Sequence, residues 1–310
     1  MTRDKITIVG AGNVGATAAY TAANRGLGDI VLLDIIKGLA AGKALDIAEA
    51  GPIQLCDCDI VGTTDWQETA DSNLVIITSG LPRKPGMSRD DLLAKNVQII
   101  KDVGEKVAKY SPDSVVIVVS NPLDAMVYAA YKVTGFAKNK VVGMAGALDS
   151  ARFSYFLARE LGVSVENIKC VLLGGHGDDM VPLPRYTCVS GIPVTELVGE
   201  EKVAELIERT RKGGSEVVNL LGYSAYYAPA AGTVEMAEAI LKDKKTLLSC
   251  CAYCGREYGV GGCFVGVPTV LGKNGVEKII ELKLNESEQT QFEKSLAHVK
   301  ELTVEVDKLL

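Results

Sequence analysis

The chain has 310 residues, 47% hydrophobic and 23% charged, the profile of a globular protein long enough for two domains. Its 33 basic and 39 acidic residues give a net charge of −6, which removes the electrostatic case for binding nucleic acid or a membrane surface. No apolar run approaches the ~18 residues of a membrane span, and Met1-Thr-Arg-Asp-Lys5 leads into a core strand without signal-peptide architecture, so a cytoplasmic location is expected.

The first element is a strand, Lys5–Val9 (KITIV). It runs into Gly10-Ala11-Gly12-Asn13-Val14-Gly15 and then a helix-forming stretch, Ala16–Tyr20. G-x-G-x-x-G between strand and helix has a specific physics. The first glycine permits a sharp turn, the second lets backbone approach a pyrophosphate, and the third lets helix pack on strand. The helix start then offers free N–H groups to phosphate. A second strand, Ile30–Leu33, ends at Asp34, placed to accept hydrogen bonds from the adenosine ribose and to repel a 2′-phosphate. Further strands are expected at Leu74–Thr78, Val115–Ser120 and Lys140–Met144. Asp91–Tyr110 repeats Leu92, Leu93, Val97, Ile100, Val103 and Val107 at helical spacing, with Ser88 as a candidate N-cap. This alternation predicts an α/β fold, a Rossmann doubly wound parallel sheet over residues 1–145. Residues 146–310 read as a mixed α+β catalytic domain. Helices are expected at Ser150–Glu160, Glu201–Asn219 and Thr233–Leu241, with strands and turns in 168–194 and 246–284. Gly272–Gly275 is a turn, and Asn285-x-x-Glu288 is a capping-box start for a last helix with Phe292, Leu296, Val299, Leu302 and Val306 on one face.

Eight cysteines, Cys56, Cys58, Cys170, Cys188, Cys250, Cys251, Cys254 and Cys263, read as reduced thiols. Cys251-Ala-Tyr-Cys254 has C-x-x-C spacing, but a structural zinc site usually needs two such pairs. Thr246–Cys254 looks instead like a strand with Cys250 and Cys254 on one face and Cys251 on the other, and no metal is expected.

The chain has two histidines. His298 lies off the apolar stripe of the last helix and reads as solvated. His176 sits in a glycine turn, Leu172-Leu-Gly-Gly-His-Gly-Asp178, where a ligand can approach the ring. Asp149 and Arg152 share a helix face. Such an aspartate could hold an imidazole in one tautomer, and such an arginine could fork a carboxylate, or the two could simply pair at the surface. Gly80–Arg89, with three cations, forms a loop at the carboxyl end of a parallel strand, where open α/β sheets bind ligands. Ser120-Asn121-Pro122 ends the next strand at the same edge and could present an amide or be a plain turn.

The segments GAGNVGAT (10–17), LLD (32–34), GLPRKPGMSRDDLL (80–93), VVSNPLD (118–124), GALDSARF (146–153) and GGHGDDMVP (174–182) together resemble the lactate/malate dehydrogenase family, most closely its bacterial lactate-dehydrogenase-like malate branch. The resemblance implies NAD as cofactor, held by Gly10, Ala11, Gly12, Asn13, Val14, Gly15, Asp34, Asn96, Val119, Ser120 and Asn121. It implies His176 as catalytic acid/base with Asp149 as partner. Arg152 would grip the C1 carboxylate, Arg89 polarise the reacting carbonyl, Arg83 hold a second carboxylate, and Asn121 touch substrate and nicotinamide. The reaction implied is reversible oxidation of (S)-malate to oxaloacetate. L-lactate or another 2-hydroxy acid is the alternative substrate, disfavoured by Arg83, whose place a glutamine takes in lactate enzymes. A non-catalytic NAD sensor is the alternative class. The resemblance also implies a homotetramer, with a dimer next. The chain departs from many lactate dehydrogenases in lacking an arm before the first strand, and the Cys250–Cys254 cluster lies outside the family's motifs.

Overall fold

The computed structural model describes residues 3–82 and 88–310, and at Arg89 the main chain alone. The elements run β1 (Lys5–Val9), α1 (Asn13–Asn24), β2 (Asp29–Leu33), α2 (Leu39–Gln54), β3 (Ile60–Thr63), β4 (Leu74–Ile77), α3 (Arg89–Tyr110), β5 (Val115–Val118), α4 (Leu123–Thr134), β6 (Val141–Gly143) and α5 (Gly146–Leu161). They continue through β7 (Ile168–Lys169), β8 (Leu172–Gly174), β9 (Met180–Pro182), β10 (Cys188–Val189), β11 (Ile192–Pro193), α6 (Glu200–Leu221), α7 (Tyr227–Leu241), β12 (Thr246–Cys254), β13 (Cys263–Gly272), β14 (Gly275–Ile279) and α8 (Glu286–Leu309).

The first six strands are parallel in the order β3-β2-β1-β4-β5-β6. That is the doubly wound order whose direction of winding reverses beside β1, opening a crevice at the strands' carboxyl ends. β1, β2, β4 and β5 are buried on both faces, which is why they read as unbroken Val/Ile/Leu runs. Ile6, Ile8, Leu32 and Ile76 pack on one face with α1 and α7 residues, and Val9, Val75, Ile77 and Val118 on the other with α3 and α4. The second half adds antiparallel strands to the same sheet, in the order β6-β12-β13-β8-β9, with β14 also on β13. β12 meets β6 through Cys251 opposite Gly143. A small separate sheet holds β11, β10 and β7.

Several boundaries differ from the sequence expectation. β3 and the helices α2 and α4 have no counterpart in it. α5 starts at Gly146 rather than Ser150, and α7 at Tyr227 rather than Thr233, its Pro229 tolerated in the first turn. Both expected caps are present: Ser88 and Asp91 box the start of α3, and Asn285 and Glu288 that of α8. Among the described residues, no helix is long and apolar enough to cross a membrane.

Candidate active site

The glycine turn is shaped by its neighbours. Gly10 has φ +107°, a left-handed backbone, and a Cβ on it would sit 2.7 Å from Thr78 Oγ1 and 2.9 Å from Ser79 N. A Cβ on Gly15 would overlap the Gly10 carbonyl oxygen, so α1 packs directly on the turn. Gly12 is different: the space around it is open, and as N-cap of α1 it brings no side-chain acceptor to the helix start. The first amides of α1 are therefore left for an anion, as a bound pyrophosphate requires. Ala11 is fully buried, Asn13 exposed, and Val14 packs against the core.

Asp34 follows β2 directly. Its Oδ2 accepts the Ala11 N–H at 2.7 Å and its Oδ1 the Ile36 N–H at 2.9 Å. The acid thus braces the glycine turn from the end of β2. Sequence reasoning missed two further braces: Lys43 of α2 donates to the Ala11 carbonyl at 2.8 Å, and Thr78 to those of Val9 and Gly10.

Asn96 is 1% exposed, and its amide is spent on main chain. Its Oδ1 accepts from Leu81 N at 2.8 Å, and its Nδ2 donates to Leu81 O and, at 2.6 Å, to Asn121 O. It ties the loop after β4 to the turn after β5, so it shapes the crevice more than it faces it. Ser120 adds a second tie, donating to Ser79 O at 2.5 Å, and Val119 is buried beneath. Asn121 is exposed at the strand end, its peptide to Pro122 cis.

His176 ends the turn after β8. Asp149, on the first turn of α5, is the hub of the site. Its Oδ2 meets His176 Nδ1 at 2.8 Å and its Oδ1 meets an Arg152 guanidinium nitrogen at 3.4 Å, while Gly177 N also donates to Oδ2. A carboxylate can only accept, so Nδ1 carries the proton toward Asp149 and Nε2 is left to face a ligand. The Asp149 side chain is 2% exposed and the His176 side chain 18%, a shielded anchor beneath a reachable ring. Burial pushes the imidazole toward neutrality, but the charge and hydrogen bond of Asp149 outweigh it, and His176 holds its proton above the ordinary histidine range. Burial likewise opposes the charge on Asp149, yet His176 and then Arg152 prevail and hold it below the usual carboxylate range. The stem of Arg152 lies against α6, where a Cβ on Gly213 would be 3.1 Å from its Cδ.

Arg83 lies outside the described residues, as does the side chain of Arg89, whose main chain begins α3. The His298 side chain is 41% exposed, in keeping with a solvated ring, and its Nδ1 also contacts Asp179 Oδ2 at 2.6 Å, linking α8 to the His176 turn. The start of β9, just after that turn, is held by Arg211 of α6, which donates to Met180 O. Cys250, Cys251, Cys254 and Cys263 are buried free thiols in the packed sheet, and among the described residues no group of three or more His, Cys, Asp or Glu side chains could hold a metal ion. Asp124, within a motif quoted above but given no role there, accepts the His176 N–H at 3.1 Å.

Residues 4–143 match the family described as lactate/malate dehydrogenase, NAD binding domain, and residues 146–309 its alpha/beta C-terminal domain. A malate dehydrogenase of Rhodopirellula baltica is 58% identical over all of this chain and 99% of its own. The apo malate dehydrogenase of Picrophilus torridus superposes with a TM-score of 0.97 at 48% identity, covering 99% of this chain and 98% of that one. A Cryptosporidium parvum lactate dehydrogenase, complexed with lactic acid and nicotinamide adenine dinucleotide, superposes at 0.96 with 42% identity, covering 99% of each. Glycine turn, terminal acid of β2, Asp149-anchored histidine and full-length likeness converge, and the chain belongs to the lactate/malate dehydrogenase family.

Proposed function

We propose that the protein is an NAD-dependent malate dehydrogenase, catalysing (S)-malate + NAD⁺ ⇌ oxaloacetate + NADH + H⁺. The observation that carries this is the double use of Asp149, which sets a histidine base and an arginine fork side by side on one buried carboxylate. NAD, when bound, supplies the hydride acceptor or donor for C2. The glycine turn and the start of α1 would hold its pyrophosphate and Asp34 its ribose, with Asn121 at the nicotinamide end. His176 Nε2 takes the C2 hydroxyl proton in oxidation and returns it in reduction. Arg152 binds the C1 carboxylate bidentately. Arg89 supports the developing charge on the C2 oxygen, and Arg83 pairs with the second carboxylate. Residues 1–145 thus hold the cofactor and lend Arg83, Arg89 and Asn121 to the substrate, while 146–310 supply His176, Asp149 and Arg152. We read the enzyme as cytoplasmic and homotetrameric, a dimer being the next choice; Leu45 and Ile53 of α2 and the adjoining Leu55 are 60%, 82% and 90% exposed, apolar surface suited to a second copy. Light scattering after gel filtration should return four times the chain mass.

Malate over lactate rests on Arg83. A second carboxylate removed from water needs a cation, and losing one partner of such a pair costs ~3–5 kcal/mol, roughly two to three decades. Pyruvate would leave Arg83 unpaired, so the same residue attracts one substrate and penalises the other. The wild type should reduce oxaloacetate far faster than pyruvate and prefer NADH to NADPH. Arg83→Gln should lower kcat/KM for oxaloacetate by at least about a hundredfold while pyruvate use rises. An unchanged ratio of the two substrates would remove the malate reading.

A further inference from the structure

His176 is fixed twice, and the second fixing belongs to no part of the mechanism above. Asp124 lies in the first turn of α4, three residues after Asn121, and is 7% exposed. One of its oxygens, Oδ2, accepts the His176 main-chain N–H at 3.1 Å. The other, Oδ1, is buried with no hydrogen-bond partner. The fully buried Cys251 thiol approaches the same carboxyl from β12. The approach depends on Gly143, opposite Cys251 on β6: a Cβ there would lie 2.9 Å from the Cys251 Cβ and 2.5 Å from Val127 of α4.

We propose that Asp124 is a positioning residue for His176, acting as a neutral acid whose carbonyl oxygen holds the main chain at the base while its hydroxyl faces the Cys251 sulfur. An ionised carboxylate buried this deeply would need strong donors on both oxygens, and only Oδ2 has one, the Cys251 thiol being a weak donor. A neutral carboxyl has one oxygen that accepts and one that carries the proton, which matches the observed asymmetry. Burial also pushes this carboxyl toward its protonated form. His176 is then aimed by two acids of different kinds: Asp149 works through the ring and by charge, Asp124 through the backbone and by shape. Asp124, three residues after Asn121, therefore couples the turn that carries Asn121 to the turn that carries His176.

Among the described residues, the groups facing His176 are Asp149 and Arg152 from α5 and Asp124 from α4; Asp178 and Asp179 follow it in its own turn, with Asp179 engaged by His298 of α8. Those facing Asp124 are His176, Cys251 of β12 and, farther off, Cys263 of β13. Asn is the neutral isostere of a protonated aspartic acid, so D124N separates shape from charge.

The proposal rests on His176 being the base, and that premise is tested first. The wild-type pH profile of kcat/KM for oxaloacetate with NADH must show an ionisation that H176N abolishes; its absence would remove the base and this proposal with it. Given that ionisation, D124A should lose roughly ten- to a hundredfold in kcat, as misplacement of a reacting group does. NADH affinity measured by fluorescence should be little changed, and a larger isotope effect should appear with deuterated NADH. D124N should recover most of that loss, with the ionisation unmoved. An acid shift of that ionisation in D124N by a unit or more would make Asp124 a counter-charge and overturn the proposal. So would D124N as impaired as D124A, or D124A with wild-type turnover. If D124A does not fold, the D124N profile decides alone.

Discussion

Asp149 shows how much one residue can settle. It is buried, charged, and shared between the His176 imidazole and the Arg152 guanidinium. Burial alone would lower the proton affinity of His176; Asp149 reverses the sign. Oxaloacetate reduction needs the protonated ring, so its rate should persist to higher pH than an ordinary histidine allows and fall as pH rises through the raised value. Malate oxidation needs the neutral ring and should rise over the same interval. Asp149→Asn leaves burial unopposed by a charge. Both limbs should then move toward acid, with a drop in kcat of about 10²–10⁴-fold. Limbs that stayed in place would mean that His176 does not carry the titration. Residue chemistry was partly legible in the sequence: a histidine between glycines and an Asp-x-x-Arg on a helix are the right groups at plausible places. That Nδ1 of one would find Oδ2 of the other across 27 residues came from family likeness, since spacing alone left a surface ion pair equally open. Asp124 was not legible at all, because its partner is a backbone N–H 52 residues away, and no side-chain pattern records that.

Elements were legible where one physical rule dominates. Strands buried on both faces read as apolar runs, and helices with a cap and an apolar stripe read as helices. β3 was missed because Ile60-Val-Gly-Thr63 is short, partly exposed and broken by Gly62, whose missing Cβ admits the Ala40 carbonyl of α2. α2 was missed because Gly42, Gly51 and Pro52 imitate a loop; tertiary packing overrides that local preference. α6 carries another glycine with a packing purpose. Gly213→Ala should be neutral or stabilising for the helix, by up to about 1 kcal/mol. Yet its methyl would press on the stem of Arg152. Thermal midpoint should hold or rise while KM for oxaloacetate and pyruvate climbs together, by roughly three- to tenfold. Unaltered KM values would show that Arg152 has room to yield. At the start of α8, buried Glu288 closes the capping box with Asn285 and also takes two hydrogen bonds from Arg185. The hydrogen bonds from Arg185 hold its carboxyl below the usual range against burial. Its contribution to stability is therefore present above the ordinary glutamate value and fades as pH falls through the lowered one. Glu288→Gln should cost about 1–2 kcal/mol near neutrality, discounted for the exposed arginine, without altering turnover. The deficit should shrink below about pH 4; a deficit constant with pH would assign the loss to packing.

At the scale of the whole molecule, the sheet does not stop where the parallel strands do. Cys251, Phe264 and Val306 from the second half share a core with Val9, Val75 and Val118 from the first, and the rings of Tyr131 and Phe264 lie 5.2 Å apart across the join. Alternation of strand and helix made the first half legible as a class of fold. Nothing in the sequence announced that β12 would dock on β6, since antiparallel pairing across such a distance leaves no local signature. A shared core should melt as one unit: scanning calorimetry is expected to give a single transition whose calorimetric and van 't Hoff enthalpies agree, and two resolved transitions would contradict the continuous sheet. Gly143 then bears on how such proteins can be recombined. It looks like a natural cutting point, the last residue of β6 before the chain turns to its second half. Yet the slot it leaves is bordered by Val127 and Leu123 of α4 and filled by Cys251 of β12. A chimaera spliced there would bring a foreign strand to a groove cut for another side chain. Productive crossovers should instead keep α4, β6 and β12 from one parent, so the unit of exchange is a contact surface and not a length of chain.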